Sequence, residues 1–367
     1  MRKYILVFLL VLAVMAVASC GKETEQKKAA TGPANDEKVY TLNLNCIYVP
    51  PSYDWEPKHN ANIVFAKKVE EATKGRVKIK VHYNSQLTPQ SQGLTALKNG
   101  VVDFLTGSAV WGGQVPESDF MWLPFWAMGE DHALHILRNT KVGEIMDQAY
   151  SKQGAHILFY WPVSNEVIIS KKPIKKYEEM KGLKMRAPTS LWHSWYKNMG
   201  AVPINIPAAD QYEALMRGTM DGTIYPQICV ESNKFFEVAK YCTIPAFLDP
   251  IVSHTLVSKK MWDSLPDDLK KTIEKIALEM EKDAVKGSQR LTALAEDACK
   301  KHNVEVVKLN KVEFEKFRGS ALALWDEFAA RSPECAKMIE IMKQDRTEWT
   351  NKHAEDVKKW EEKFISQ

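Results

Sequence analysis

The chain sets short runs of alternating apolar and polar residues against stretches with helical spacing, and repeats the exchange. Over residues 39–48, Leu42, Leu44 and Cys46 alternate with Thr41, Asn43 and Asn45. A period of two puts the two sets on opposite faces of a strand. Ile63, Ala66, Val69 and Ala72 then recur at helical spacing and Gly75 follows as a stop, which predicts a helix over 60–73. Residues 77–81 alternate again; a helix over 90–99, stopped by Gly100, and a strand over 101–105 follow. This β-α-β-α-β order implies mostly parallel pairing with helices on the sheet faces.

Residues 120–126 are almost wholly apolar and are expected to be lobe core or a surface for a membrane partner. After them the pattern resumes. A helix is expected over 132–151, strands over 155–160, 166–170 and 184–186, then a helix over 191–199. A strand near 202–205, a helix over 210–217 and strands over 220–225 and 251–258 come next. Ser264-Leu265-Pro266-Asp267-Asp268 carries helix-start chemistry, and Leu269, Ile273, Ile276 and Met280 continue at helical spacing. A last strand over 304–309 precedes charged helices.

The first residues follow another pattern. Arg2 and Lys3 precede an apolar run over 4–17, closed by Ala18, Ser19 and Cys20. Basic, apolar, then small is the layout of a secretory signal, and the run falls short of the about 20 residues a membrane span takes. The ending resembles a bacterial lipobox, in which the Cys is lipidated and becomes the new N-terminus; a cleaved signal with an incidental Cys and an uncleaved signal anchor are the alternatives. Residues 21–38 have almost nothing to bury and read as a flexible linker.

About 330 residues remain, more than one core usually holds, so two lobes are expected. The net charge of +4 is mild and forms no basic block with interleaved aromatics, which gives no support to a nucleic-acid partner. Cys46, Cys229, Cys242, Cys299 and Cys335 make no CxxC, and an odd number cannot all pair. Cys229 with Cys242 is a candidate bridge, against the preferred reading of buried free thiols.

GxxxxGK[ST], a strand-following GxGxxG, HExxH and GxSxG are all missing from the sequence. No cofactor or metal is therefore expected. His132 and His135 stand three apart without a third ligand nearby, which reads as a solvated helix face rather than a zinc pair. A catalytic triad need not be adjacent in sequence, but nothing here gives catalysis positive support. In open α/β sheets ligands bind beyond the carboxyl ends of strands, and those loops carry the candidate residues. Arg186 ends a predicted strand, where its planar fork could hold a carboxylate with two parallel hydrogen bonds; a surface Arg paired with a nearby Glu is the alternative. Trp111, Trp161 and Tyr225 fall on such loops as candidate walls, with core packing as the alternative. Tyr53 and Asn165 lie on two more of them.

Together these residues resemble the solute-binding receptors of tripartite ATP-independent periplasmic (TRAP) transporters, the DctP-like family. Gly75-Arg76-Val77-Lys78-Ile79, Asn84-Ser85-Gln86-Leu87 and residues 94–103 follow its N-lobe pattern, and Leu123-Pro124-Phe125 matches its LPF element. Lys181-Gly182-Leu183-Lys184-Met185-Arg186 matches KGLKxR; Gly200-Ala201-Val202-Pro203, Glu213-Ala214-Leu215 and Met220-Asp221-Gly222 follow in the right order. Order and spacing over nearly the whole mature chain carry the resemblance.

It implies an α/β fold of the two-lobe periplasmic-binding-protein type (type II-like), with mostly parallel sheets flanked by helices and a ligand cleft between the lobes. Residues 39–163 would form lobe I, with part of 252–310 returning to it. Residues 164–251 would form lobe II, and 311–367 would pack across both. The implied function is not catalysis. Such a receptor captures an organic acid and delivers it to a membrane permease pair driven by an ion gradient, and Arg186 takes the family's substrate-binding role. Two positions depart from the sialic-acid-type members: Tyr225 stands before Pro226 where an Asn is frequent, and Glu166 stands close to the place of an Arg. With Trp111 and Trp161 nearby, these point to a small apolar or aromatic monocarboxylate. An ABC-type or sensor-linked binding protein and a secreted enzyme are the competing readings.

Overall fold

A computed structural model describes residues 38–108 and 110–365; Cys20 lies outside them. β1 (Tyr40–Cys46) and β2 (Val77–His82) form where the alternation predicts, and β3 (Phe104–Ser108) starts three residues later than expected. They pair in parallel with β1 in the middle, Leu42 opposite Ile79 and Asn45 opposite Leu105. The remaining strands are β4 (Ala155–Ser170), β5 (Lys184–Arg186), β6 (Val202–Ile204), β7 (Gly222–Pro226), β8 (Tyr241–Ser258) and β9 (Glu305–Lys308). All join one sheet in the order β2-β1-β3-β8-β4-β7-β5-β6, with β9 on β8.

Two long antiparallel strands, β4 and β8, connect the lobes. The C-terminal half of β8 pairs with β3 (Thr106 opposite Thr255) and with the start of β4 (Ala155 opposite Ser258). Its N-terminal half pairs with β9 (Cys242 opposite Val306), and the end of β4 pairs with β7 (Ile168 opposite Ile224). Parallel pairing holds for β1–β2, β1–β3, β5–β6, β5–β7 and β8–β9; the antiparallel pairs all involve β4 or β8. The alternation predicted two strands where β4 is continuous, and it started β8 ten residues late. Pro162, Pro245 and Pro250 are the reason: proline reads as a strand breaker because it cannot donate to the ladder. Here the strands run on, and β4 absorbs the irregularity in register shifts from Pro162 to Ile168.

The helices used below are α1 (Phe65–Ala72), α2 (Glu130–Asn139), α3 (Lys141–Lys152), α4 (Ser190–Asn198), α5 (Asp267–Lys301), α6 (Lys311–Ala329) and α7 (Pro333–Lys352). A π-helical turn over Asn60–Val64 precedes α1 and shifts its phase. The buried face is therefore Asn62, Phe65, Ala66, Val69 and Thr73, while Ile63 is 39% exposed. The single helix expected over 132–151 is two. Thr140 breaks it with extended backbone, and its Oγ1 accepts from Val142 N (3.1 Å). A Cβ at Gly143 would lie 1.9 Å from Leu137 O, so only glycine lets α3 start this close.

α5 begins at the predicted start chemistry and serves both lobes. Leu269, Ile273, Ile276 and Met280 pack with Leu44, Phe65 and Trp161; farther along, Leu291 and Ala295 pack with Ile228. Residues 120–126 are core and not a membrane surface. Phe120, Met121, Leu123 and Trp126 are fully buried, Trp192 Nε1 donates to Trp122 O (2.7 Å), and Trp325 Nε1 donates to Pro124 O (3.0 Å). His132 does not lie on a solvated face either. It is fully buried and its Nε2 meets Asp345 Oδ2 at 2.9 Å, tying α2 to α7; His135 Nε2 takes the other oxygen at 3.0 Å. The five described cysteines are buried free thiols. Cys242 Sγ lies 3.9 Å from Cys299 Sγ, not beside Cys229. No described helix is long and apolar enough to cross a membrane.

Candidate ligand cleft

The register shifts of β4 fall where the two lobes meet, and a cleft of about 830 Å³ opens there to solvent. Ile47, Tyr48, Ser108, Trp122 and Trp161 line it from the first lobe; Arg186, Ala208, Tyr225 and Cys229 line it from the second. Tyr48 follows β1 and is fixed from two sides. Its hydroxyl accepts from Ser108 N (2.9 Å) and bonds Ser253 Oγ (2.9 Å). Its ring meets Trp161 edge to face, with centroids 6.1 Å apart.

Arg186 is the last residue of β5 and is only 3% exposed. Its Nε donates to Ile206 O (2.9 Å), which sets the plane of the guanidinium. Its carbon stands 5.6 Å from the centroid of the Tyr225 ring, a cation–π distance. Held at Nε, the fork keeps its outer nitrogens for a ligand. The surface-Arg alternative is thus set aside by burial.

Three predicted residues converge on the cleft: Arg186, Tyr225 and Trp161. Three do not. Trp111 is buried away from it; its Nε1 donates to Gln90 O (2.9 Å) and its ring meets His254 edge to face at 6.0 Å. Asn165 faces α5, where its Oδ1 accepts from Thr292 Oγ1 (3.4 Å), and its carbonyl accepts from Gln227 N (3.2 Å). Tyr53 stacks on Trp55 at 5.1 Å, and Arg290 caps that stack 3.7 Å from the Trp55 ring. The pair packs behind Ile228 and Leu291, which themselves line the cleft.

Sequence reasoning did not place Glu166 in the site, although it marked the position as unusual. In an unbroken strand Trp161, Val163 and Asn165 share a face. The shifts between Pro162 and Ile168 undo that alternation, and Glu166 lines the cleft instead. Glu166 is 1% exposed and its Oε2 has no hydrogen-bond partner among the described residues. Burial pushes its carboxyl up to about 8, against the pull of the Arg186 charge. Glu56 and Lys58 also line the cleft and pair with each other at 3.6 Å. Among the described residues no group of three or more His, Cys, Asp or Glu side chains is placed to hold a metal ion.

The family model described as "Bacterial extracellular solute-binding protein, family 7" (DctP) matches residues 52–332. The chain is 27% identical over 279 residues to the C4-dicarboxylate-binding periplasmic protein DctP of Rhodobacter capsulatus, covering 74% of this chain and 80% of that one. It is 27% identical over 298 residues to the 2,3-diketo-L-gulonate-binding periplasmic protein YiaO of Escherichia coli, covering 78% and 88%. Its fold matches a TRAP periplasmic solute binding protein from Rhodoferax ferrireducens with bound malonate, at a TM-score of 0.78 and 22% identity, over 85% of this chain and 99% of that one. A family model spanning most of the chain, on a two-lobe frame with a cleft at the crossing strands, places the chain among the family 7 bacterial extracellular solute-binding proteins.

Proposed function

We propose that this receptor holds the carboxylate of an organic acid on Arg186, between Tyr225, Trp161 and Tyr48, and hands the acid to a TRAP permease. The observation that carries the reading is a buried guanidinium, anchored among the described residues through Nε and lining an aromatic cleft between the lobes. In a desolvated cleft a charge-assisted pair is far stronger than in water. The named ligands of the relatives, C4-dicarboxylate, diketo-gulonate and malonate, are all organic acids. A receptor releases its ligand unaltered, so the acid recovered after binding is expected unchanged; a converted product would favour an enzyme.

The test is a thermal-shift screen of the full-length protein in detergent against aliphatic, hydroxy-, keto-, aromatic and sugar acids. A ligand that binds only the folded state adds roughly 2.7 kcal/mol at 100 times its Kd. At least one acid should raise the midpoint. Arg186→Ala should cost at least about 2 kcal/mol of that binding, as for a lost charged partner at a dry site, and Arg186→Lys should recover only part because it lacks the fork. Unchanged affinity in Arg186→Ala overturns the clamp. We also infer a lipid tether at Cys20; an unmodified Cys20 in the membrane fraction, read by mass spectrometry, rules it out.

A further inference from the structure

The cleft holds a charge for which a plain acid has no use. Arg186 and Glu166 line it together, 3% and 1% exposed. The other two charged residues of its lining, Glu56 and Lys58, satisfy each other at 3.6 Å. That leaves the Arg186 guanidinium and the Glu166 carboxyl for a ligand. Glu166 Oε2 is buried with no hydrogen-bond partner among the described residues. A buried carboxylate in that position is costly unless something donates to it. A simple monocarboxylate meets Arg186 and leaves Glu166 as it was. A dicarboxylate brings no cation for Glu166, and its second negative charge opposes ionisation of the buried carboxyl.

We propose that the ligand is a zwitterionic amino acid, its carboxylate held by Arg186 and its ammonium by Glu166. This rests on the receptor reading above and names the class of acid that the same site takes. A zwitterion carries a cation beside which Glu166 can release its proton to solvent and ionise. Its ammonium supplies the donor that Glu166 lacks, and its carboxylate takes the free side of the Arg186 fork. Ile47, Trp161, Tyr225 and Ile251 form apolar walls around the pair, which suits an apolar or aromatic side chain. Glu166 acts here as a specificity determinant: it favours acids that carry a donor.

The experiment is titration calorimetry on the full-length protein in detergent, with the common α-amino acids each set against the same acid lacking the amine, and with malonate and succinate alongside. At least one amino acid should bind at least about 30-fold more tightly than its amine-free partner, as expected when a buried charge finds its mate, and neither diacid should match it. Glu166→Gln should erase that preference. The comparison within the wild-type protein needs no variant, so a misfolded Glu166→Gln does not decide the outcome. An amine-free acid or a diacid that binds as tightly as every amino acid overturns the zwitterion and leaves the carboxylate receptor standing. Binding of no carboxylate at all overturns both. A preference that survives in folded Glu166→Gln overturns the role of Glu166.

Discussion

Arg186 and Glu166 are both buried in the cleft. Arg186 is anchored through Nε to Ile206 O, whereas the Glu166 carboxyl keeps its proton until about pH 8. That has a stability consequence. Below the ordinary value of 4.5 the group is neutral in both folded and unfolded chains. From there to about 8 the unfolded chain ionises while the folded one holds its proton, so the folded state binds more protons and stability falls as pH rises, by at most about 1.4 kcal/mol per pH unit. Above that range the loss is complete. Glu166→Gln is neutral throughout, so its stability relative to wild type should climb across the window and then level off. Urea midpoints of both proteins at about pH 5, 7 and 9 test the sign; other titrating groups are common to both and cancel in the difference. A constant difference would refute the buried-acid account. Arg186 was legible in the sequence because a strand end and a recognisable motif coincide there. Glu166 was not, since its direction depends on register shifts that a period of two cannot express. Trp111 and Tyr53 misled for a simpler reason: an aromatic beside a strand end has core partners as readily as ligand partners, and Gln90 O and Trp55 took them.

Among the elements, α5 carries the largest structural duty, since its buried face serves both lobes. Its start and apolar spacing were readable because Pro266, Asp267 and the Leu269–Met280 positions are local signals. What it packs against was not, because that depends on neighbours far along the chain. Gly287 illustrates the difference. By helix propensity alone, replacing an interior glycine with alanine gains up to about 1 kcal/mol. Here a Cβ would lie 2.9 Å from Pro57 Cδ and 3.1 Å from Pro57 Cγ, and a proline ring gives way poorly. Overpacking of this kind costs about 1–3 kcal/mol. Gly287→Ala should therefore lower the melting temperature, and a rise would mean that the segment around Pro57 yields easily. The cysteines make the same point. The buried free thiols expected from the sequence are found, but the neighbour that nearness along the chain offered Cys242 was Cys229, whereas the fold brings α5 to β8 and sets Cys299 beside Cys242.

At the scale of the whole molecule, two strands decide how the lobes relate. β4 and β8 both cross, with β4 irregular at the crossing; each lobe keeps its own parallel strands, while one buried cluster runs from Ile47 and Trp122 to Met185 and Leu191. A hinge of this kind moves a few residues and leaves the lobes intact. The alternating pattern foretold two lobes from length and strand order, but it could not find the hinge, because prolines hid the continuity of both strands. A ligand closes such a frame only if it binds the closed form better than the open one. Tyr48 and Trp161 offer contacts from one side, and Arg186 and Tyr225 from the other; only closure engages both sets at once. Adding a bound acid should therefore shrink the radius of gyration measured by small-angle X-ray scattering. In Arg186→Ala the second lobe loses its charged grip, so even saturating ligand should leave the radius near the unliganded value. Equal compaction in wild type and Arg186→Ala would show that the aromatic contacts alone drive the lobes together, with the guanidinium selecting the ligand but not closing on it.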